Sequence, residues 1–200
     1  MKLYFSPGAC SLSPHIVLLE AGLKFTTEQV DLRTKVTANG ADFRAINPKG
    51  YVPALEIEGT VLTEVPAIVQ YLADLAPEKQ LAPPVGTLER YQVQEWLNYI
   101  SAEVHKSYAP LWNPASSDEA RHTATTNLAT RYAYLEQVLS QREYLSGDFS
   151  VADVYLYVVT NWAGKVGVDL SPFPNVRAHH ARIQARPAVQ QALGEEGLLG

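Results

Sequence analysis

Residues 2–23 read KLYFSPGACSLSPHIVLLEAGL. KLYFS (2–6) is made of β-type residues and is closed by Pro7-Gly8. From Ser11 the period changes: Ile16, Leu19 and Leu23 recur at helical spacing, with Gly22 near the end as a stop signal. A strand thus runs into a helix through a Gly/Ser/Pro turn, and that turn holds Cys10, the chain's one cysteine. Ser11 stands where an N-cap belongs, and Pro14 falls in the first turn, where its missing N–H is no loss.

TTEQVDL (26–32) reads as a second strand. ALEIEGTVLT (54–63) reads as a hairpin through Glu58-Gly59-Thr60, and AIVQYLADLA (67–76) as a helix. The order β-α-β, then β-β-α, predicts an α/β domain with a mixed four-stranded sheet. LAPEKQLAPPVGT (75–87) is proline-rich and reads as a linker. Beyond it the signal is almost wholly helical. LERYQVQEWLNYISAEVHKSYAPLW (88–112) carries Trp96, Ile100, Val104 and Tyr108 at every fourth position, one buried stripe. DEARHTATTNLATRYAYLEQVLSQ (118–141) repeats it with Ala124, Leu128, Leu135 and Leu139. SVADVYLYVVTNWAGKVG (150–167) opens with Ser150 and Asp153 in capping-box spacing and is apolar nearly all round, so it belongs at the centre of a bundle. NVRAHHARIQARPAVQQALG (175–194) adds further helix. The expected organisation is an α/β domain over 1–77, a linker over 78–87 and an all-helical domain over 88–200.

With 200 residues, 46% hydrophobic and 18% charged, the chain has ordinary globular composition. Its net charge of −5 gives no basic footprint for nucleic acid. Its most apolar run, VADVYLYVVTNWAG, is broken by Asp153 and is too short to span a membrane. The first residues lack the apolar stretch of a signal peptide, and a lone cysteine makes no internal disulfide. These features point to a cytoplasmic protein without membrane or nucleic-acid partners.

By itself Cys10 reads as a small buried hydrophobe. Its place at a helix start supports another reading, because free N–H groups and the helix dipole favour thiolate there. CSLS is also the monothiol form of a C-x-x-C redox motif. Val52-Pro53 lies just before a strand. A cis proline there would leave the N–H and C=O of Val52 to an extended peptide alongside, whereas a trans proline would simply begin the strand. Glu64 stands at the next helix start with Pro66 in the first turn. It is either a dipole partner or the anionic half of a site for a ligand bearing both carboxylate and ammonium. Asn98 and His105 are seven residues apart, which puts them on one face of a continuous helix with Ala102 between. That pair either serves a domain contact or binds a ligand. His15, near Cys10, is read as a bystander. His122, His179 and His180 fall in polar segments expected to be exposed, and no spacing suggests a metal site.

Taken together, MKLYFSPGACSLSPH, NPKGYVPALE, LTEVPAIVQYLAD, EWLNYISAEVHKSYAPL and FSVADVYLY resemble, in order and over nearly the whole chain, a bacterial glutathione S-transferase of the beta class. The resemblance implies a thioredoxin-like first domain, a helical second domain, a homodimer and glutathione as cosubstrate. Residue by residue, it makes Cys10 the contact to the glutathione sulfur, able to form a mixed disulfide. It makes Val52 the backbone partner of the cysteinyl part, with Pro53 the cis-proline. Glu64 becomes the acid near the γ-glutamyl end and Lys35 a cation near a glutathione carboxylate. Asn98, His105 and Lys106 become polar groups approaching the site, and Cys10 and His105 are the catalytic candidates. Ser150 and Asp153 become a capping box that serves folding. Tyr108, Leu111 and Trp112 are candidates for an apolar electrophile pocket, or equally for the core. The chain departs from the pattern at Val65, where relatives often carry Ser or Gly, so only the Val65 N–H remains for the γ-glutamyl carboxylate. The implied activity is conjugation of glutathione to small hydrophobic electrophiles, as in detoxification. Thiol–disulfide exchange through Cys10 and a non-catalytic binding scaffold are the alternatives.

Overall fold

The computed structural model describes residues 1–199. The chain divides into two compact units, one of residues 1–84 with the segment from Arg186 onward, the other of residues 85–185.

In the first unit, β1 (Lys2–Phe5) pairs in parallel with β2 (Thr26–Asp31), after the crossover through α1 (Leu12–Glu20). β3 (Val36–Thr37) lies antiparallel to β2 and is followed by α2 (Phe43–Ile46). β4 (Ala54–Ile57) runs antiparallel to β1 and folds back into β5 (Thr60–Thr63), which leads to α3 (Val65–Asp74). The sheet is therefore mixed, with five strands in the order β3-β2-β1-β4-β5. The fifth strand is the correction to the four expected. β3 has only two residues, too few to show an alternating pattern.

Register sorts the side chains. Tyr4 faces Ala54 across β1 and β4 and packs with Val30, Phe43 and Val52. Leu3 faces Leu55, both fully buried. α1 is buried along nearly its whole length, Leu12 to Leu18, with Leu19 and Leu23 half-buried. It packs against α3 and also against α10 (Pro187–Glu195), and a second covering helix removes the solvent face. Gly22, at φ +65°, lets the Gly22 and Leu23 N–H groups return to Leu19 and Leu18 and close α1. Because α10 buries Val189, Ala192 and Leu193 in this unit, the expected helical domain over 88–200 ends instead at Ala185.

In the second unit, α4 (Leu88–Tyr99) continues into a π-helical stretch, Ile100–His105, and then α5 (Ala109–Trp112). α6 (Asp118–Leu139), α7 (Val151–Thr160), α8 (Trp162–Lys165) and α9 (Pro174–Gln184) follow. Every residue of α7 is buried, as its all-round apolarity predicts. Its capping box is formed: Ser150 caps the helix, and Asp153 Oδ2 accepts from the Ser150 N–H at 2.9 Å. Asp153 also accepts from the Leu145 N–H and contacts His179 Nε2, both at 2.9 Å. His179 is thus a core residue, 1% exposed, and His180 is half-buried against Tyr157 and Asn161. The expectation that both are exposed fails because α9 turns them onto α7. Burial and the neighbouring His179 push the His180 pKa down to about 4.

Candidate functional site

The turn between β1 and α1 is built by short backbone bonds: Ala9 N–H to Ser6 O at 3.0 Å and Ser13 N–H to Cys10 O at 3.1 Å. Ser11 is not the side-chain cap expected of it. Its Oγ accepts from the Ser6 N–H at 3.1 Å and donates to the Ser6 carbonyl at 3.3 Å, so it ties the turn to the end of β1. The Leu12 and Ser13 N–H groups at the helix start are taken up by the carbonyls of Ala9 and Cys10. The Cys10 thiol donates to the Val52 carbonyl at 3.3 Å.

The expected thiolate is not what this environment favours. Burial is the largest influence on Cys10 and pushes its pKa up to about 12. The N–H groups of Cys10 and Ser11 do act in the expected direction, but burial and the Glu64 charge outweigh them. Taking a charge out of water costs more than a helix terminus returns.

The Val52–Pro53 peptide is cis. With its carbonyl engaged by Cys10, the N–H of Val52 has no hydrogen-bond partner among the described residues. Two cations flank this edge. Lys35, at φ +61°, donates to the Gly50 carbonyl at 2.8 Å and lies over the exposed Tyr51 ring. Lys49 donates to Thr63 Oγ1 at 2.7 Å and pairs with Glu64. The sequence reading missed Lys49; its signal was a cation in the NPKGYVP turn, four residues before Pro53. Glu64 sits at φ +72°, which costs a non-glycine residue roughly 1–3 kcal/mol. The Glu64 charge acts on Cys10, so the start of α3 lies near the Cys10 turn. The N–H groups of Val65 and Ala67 have no partners there among the described residues, while the Val65 side chain is buried.

The second unit holds the other expected residues. The π-helical stretch overturns the expected pairing of Asn98 with His105. An i+4 repeat drifts about 40° per step in an α-helix. The wider turn cancels that drift, so Trp96, Ile100, Val104 and Tyr108 are all buried on one side. Asn98, Ala102 and Lys106 form the exposed line instead. His105 is drawn inward: Nδ1 meets the Tyr155 hydroxyl at 2.7 Å, and the ring packs edge-on to Trp162. Tyr108 is a core residue, not a pocket wall. It is fully buried and its hydroxyl meets that of Tyr132 at 2.8 Å, in a chain that ends on Thr160. Burial and that bond push the Tyr108 pKa up. Leu111 is half-buried, and Trp112 is 48% exposed with its ring edge-on to Trp162. Among the described residues no group of three or more His, Cys, Asp or Glu is placed to hold a metal ion, and no helix is long and apolar enough to cross a membrane.

Comparison with known proteins agrees with this geometry. Residues 8–75 match the glutathione S-transferase N-terminal domain and residues 99–187 the glutathione S-transferase C-terminal domain. The chain is 45% identical to glutathione S-transferase GstA of Escherichia coli O157:H7, over 99% of this chain and 100% of that protein. Among solved structures, a sphingomonad glutathione S-transferase complexed with glutathione is 46% identical with a TM-score of 0.96, covering 100% of both chains. A beta class glutathione S-transferase of Sphingomonas chungbukensis is 47% identical with a TM-score of 0.97, again covering 100% of both. A thioredoxin-like unit with a cis proline opposite a helix-start cysteine, a helical unit with a buried capping box, and full-length similarity lead to one conclusion: this chain belongs to the glutathione S-transferase family and is a glutathione transferase with bacterial beta class neighbours.

Proposed function

We propose that this enzyme binds glutathione extended along the Val52 edge and transfers it to small hydrophobic electrophiles. The observation that carries the reading is the Val52 N–H, left without a partner between the Cys10 thiol and the Lys49–Glu64 pair. A peptide strand lying there takes up that N–H by strand addition. Its α-ammonium suits Glu64, and its α-carboxylate suits the Val65 and Ala67 N–H groups at the start of α3. Lys35 or Lys49 suits the glycyl carboxylate. The cysteinyl sulfur then lies toward Cys10 and the α1 start.

In the reaction the glutathione S–H bond loses its proton to solvent. The sulfur electron pair forms a bond to the electrophilic carbon, and a displaced halide leaves with its own pair. Cys10 acts here as a hydrogen-bonding thiol, consistent with its raised pKa, and not as the attacking group. Asn98, His105 and Lys106 are carried forward as polar groups serving the reaction, and Leu111 and Trp112 as electrophile contacts, all on the resemblance. A homodimer, a detoxifying role and a cytoplasmic location belong to the same reading.

Calorimetric titration with reduced glutathione, followed by conjugation of an aryl chloride, tests it. Saturable binding at one site per subunit and turnover of the chloride are expected. No binding at millimolar glutathione would leave a transferase-like scaffold with another task. Disulfide exchange through Cys10 predicts a glutathione adduct in intact mass after treatment with oxidised glutathione. The raised Cys10 pKa, which leaves little thiolate to attack a disulfide, favours its absence.

A further inference from the structure

The first unit also buries a charge cluster that glutathione transfer, as set out above, does not use. His15, in α1, is 1% exposed, and the Glu196 side chain just beyond α10 is fully buried. His15 Nδ1 meets Glu196 Oε1 at 2.9 Å and Nε2 meets Glu195 Oε2 at 2.8 Å. Two carboxylate partners require a proton on each ring nitrogen, so the ring is an imidazolium. Burial alone would lower the His15 pKa, but the two carboxylates outweigh it and hold it above the ordinary value. The rings of Phe5 and Phe25 cover the imidazole and bring no further charge.

The second oxygen of Glu196 is turned away from His15. Oε2 accepts from the Gly8 N–H at 2.9 Å, joining residues 188 apart in sequence. Gly8 stands two residues before Cys10 at φ +69°, a conformation that side-chain-bearing residues rarely adopt. A buried carboxylate is costly without a cation, and a bond from an N–H to a charged acceptor is stronger than a neutral one. His15 thus makes the buried acid tolerable, and the acid grips the turn.

We propose that Glu196 is a positioning residue: its carboxylate, steadied by His15, fixes the Gly8 N–H and so sets where the Cys10 turn stands against Val52. The consequence for catalysis rests on Cys10 lying at the sulfur end of the glutathione site; the consequence for the thiol does not. Arg186 supplies a built-in control. It clamps the other end of α10 to Glu20 at 2.6 and 3.0 Å.

The test compares wild type, Glu196→Ala, Glu196→Asp, Glu196→Gln and Arg186→Ala. The readouts are the alkylation rate of Cys10 by iodoacetamide, followed by intact mass, together with Tm and glutathione KM and kcat. Glu196→Ala is expected to alkylate at least tenfold faster and to raise glutathione KM about fivefold or more. Glu196→Asp keeps the charge beside His15 but falls short of Gly8, and behaves alike; it carries the test if the alanine variant does not fold. Glu196→Gln keeps an oxygen for Gly8 once His15 Nδ1 gives up its proton and accepts from the amide NH2, and stays within about threefold of wild type. Arg186→Ala loses Tm while alkylation and KM stay within about twofold. Equal alkylation in the Arg186 and Glu196 variants, or wild-type alkylation in Glu196→Ala, would overturn the proposal. Alkylation needs no glutathione, so a wild type that binds none would count against the proposed function alone.

Discussion

At the scale of single residues, the decisive contest is between burial and dipole at Cys10. The sequence places the sulfur at a helix start, where the backbone favours thiolate. The fold then adds the Val52 carbonyl, which accepts a bond only from the protonated thiol. With its pKa pushed to about 12, Cys10 of the free enzyme should react slowly with iodoacetamide at pH 7. The rate should still be rising at pH 10, without the plateau near pH 9 of an ordinary thiol. A plateau below pH 8 would show that the amides win. Glu64 offers a second test. It is well exposed, and its pair with Lys49 adds at most about 1 kcal/mol to stability. Glu64→Gln should therefore leave Tm unchanged. Its glutathione Kd should weaken roughly tenfold to a hundredfold, matching about 1.5–3 kcal/mol for a bond to a charged group. Titration calorimetry on the two proteins reads both effects. Both roles follow from local sequence; Lys49 does not, because a lysine in a turn reads first as a solvated charge.

At the scale of elements, most of the helices and four of the strands were legible, and the exceptions share a cause. β3 is held by two ladder positions and an isolated bridge, Val36 to Asp42. It exists because β2 offers an edge, not because its own residues demand a strand. The π-helical stretch has a signal in the sequence. Four buried residues at strict i+4 spacing do not stay on one side of an α-helix for twelve residues. An α-helical reading of that repeat puts Asn98 and His105 on a common face, and the wider turn separates them. The Ser150–Asp153 box, by contrast, was legible because it depends on residues three apart. Its full weight was not, since Asp153 also holds Leu145 and His179. Asp153→Ala should cost about 3–5 kcal/mol by stranding buried partners, a fall in Tm on the order of 10 °C. Ser150→Ala should cost only about 1 kcal/mol. Equal losses in thermal unfolding would mean that capping alone explains the box.

At the scale of the whole chain, the two ends meet on one unit. α10 returns to α1, and the imidazolium of His15 lies between Glu195 and Glu196. Burial works to raise the Glu195 pKa, but bonds from Gln191 and His15 hold it below its ordinary value. Because the His15 pKa is raised on folding, its stabilising contribution is complete below about pH 6.5, the unfolded value, and is lost as pH rises through the native one. The stability advantage of wild type over His15→Gln should therefore be larger at pH 6 than at pH 9 in urea unfolding. An advantage that grows with pH would refute the imidazolium.

The sequence by itself determined the succession of elements, the helix-start cysteine, the proline before β4, the acid before α3 and the buried capping box. Each rests on residues a few positions apart, where period, turn chemistry and capping act. Tertiary structure decided the raised pKa of Cys10, the inward turn of His105 and the return of the C-terminal helix to the first unit. Those outcomes depend on what covers a group from elsewhere in the chain. Burial and charge pairing act through space, between residues as far apart as Gly8 and Glu196.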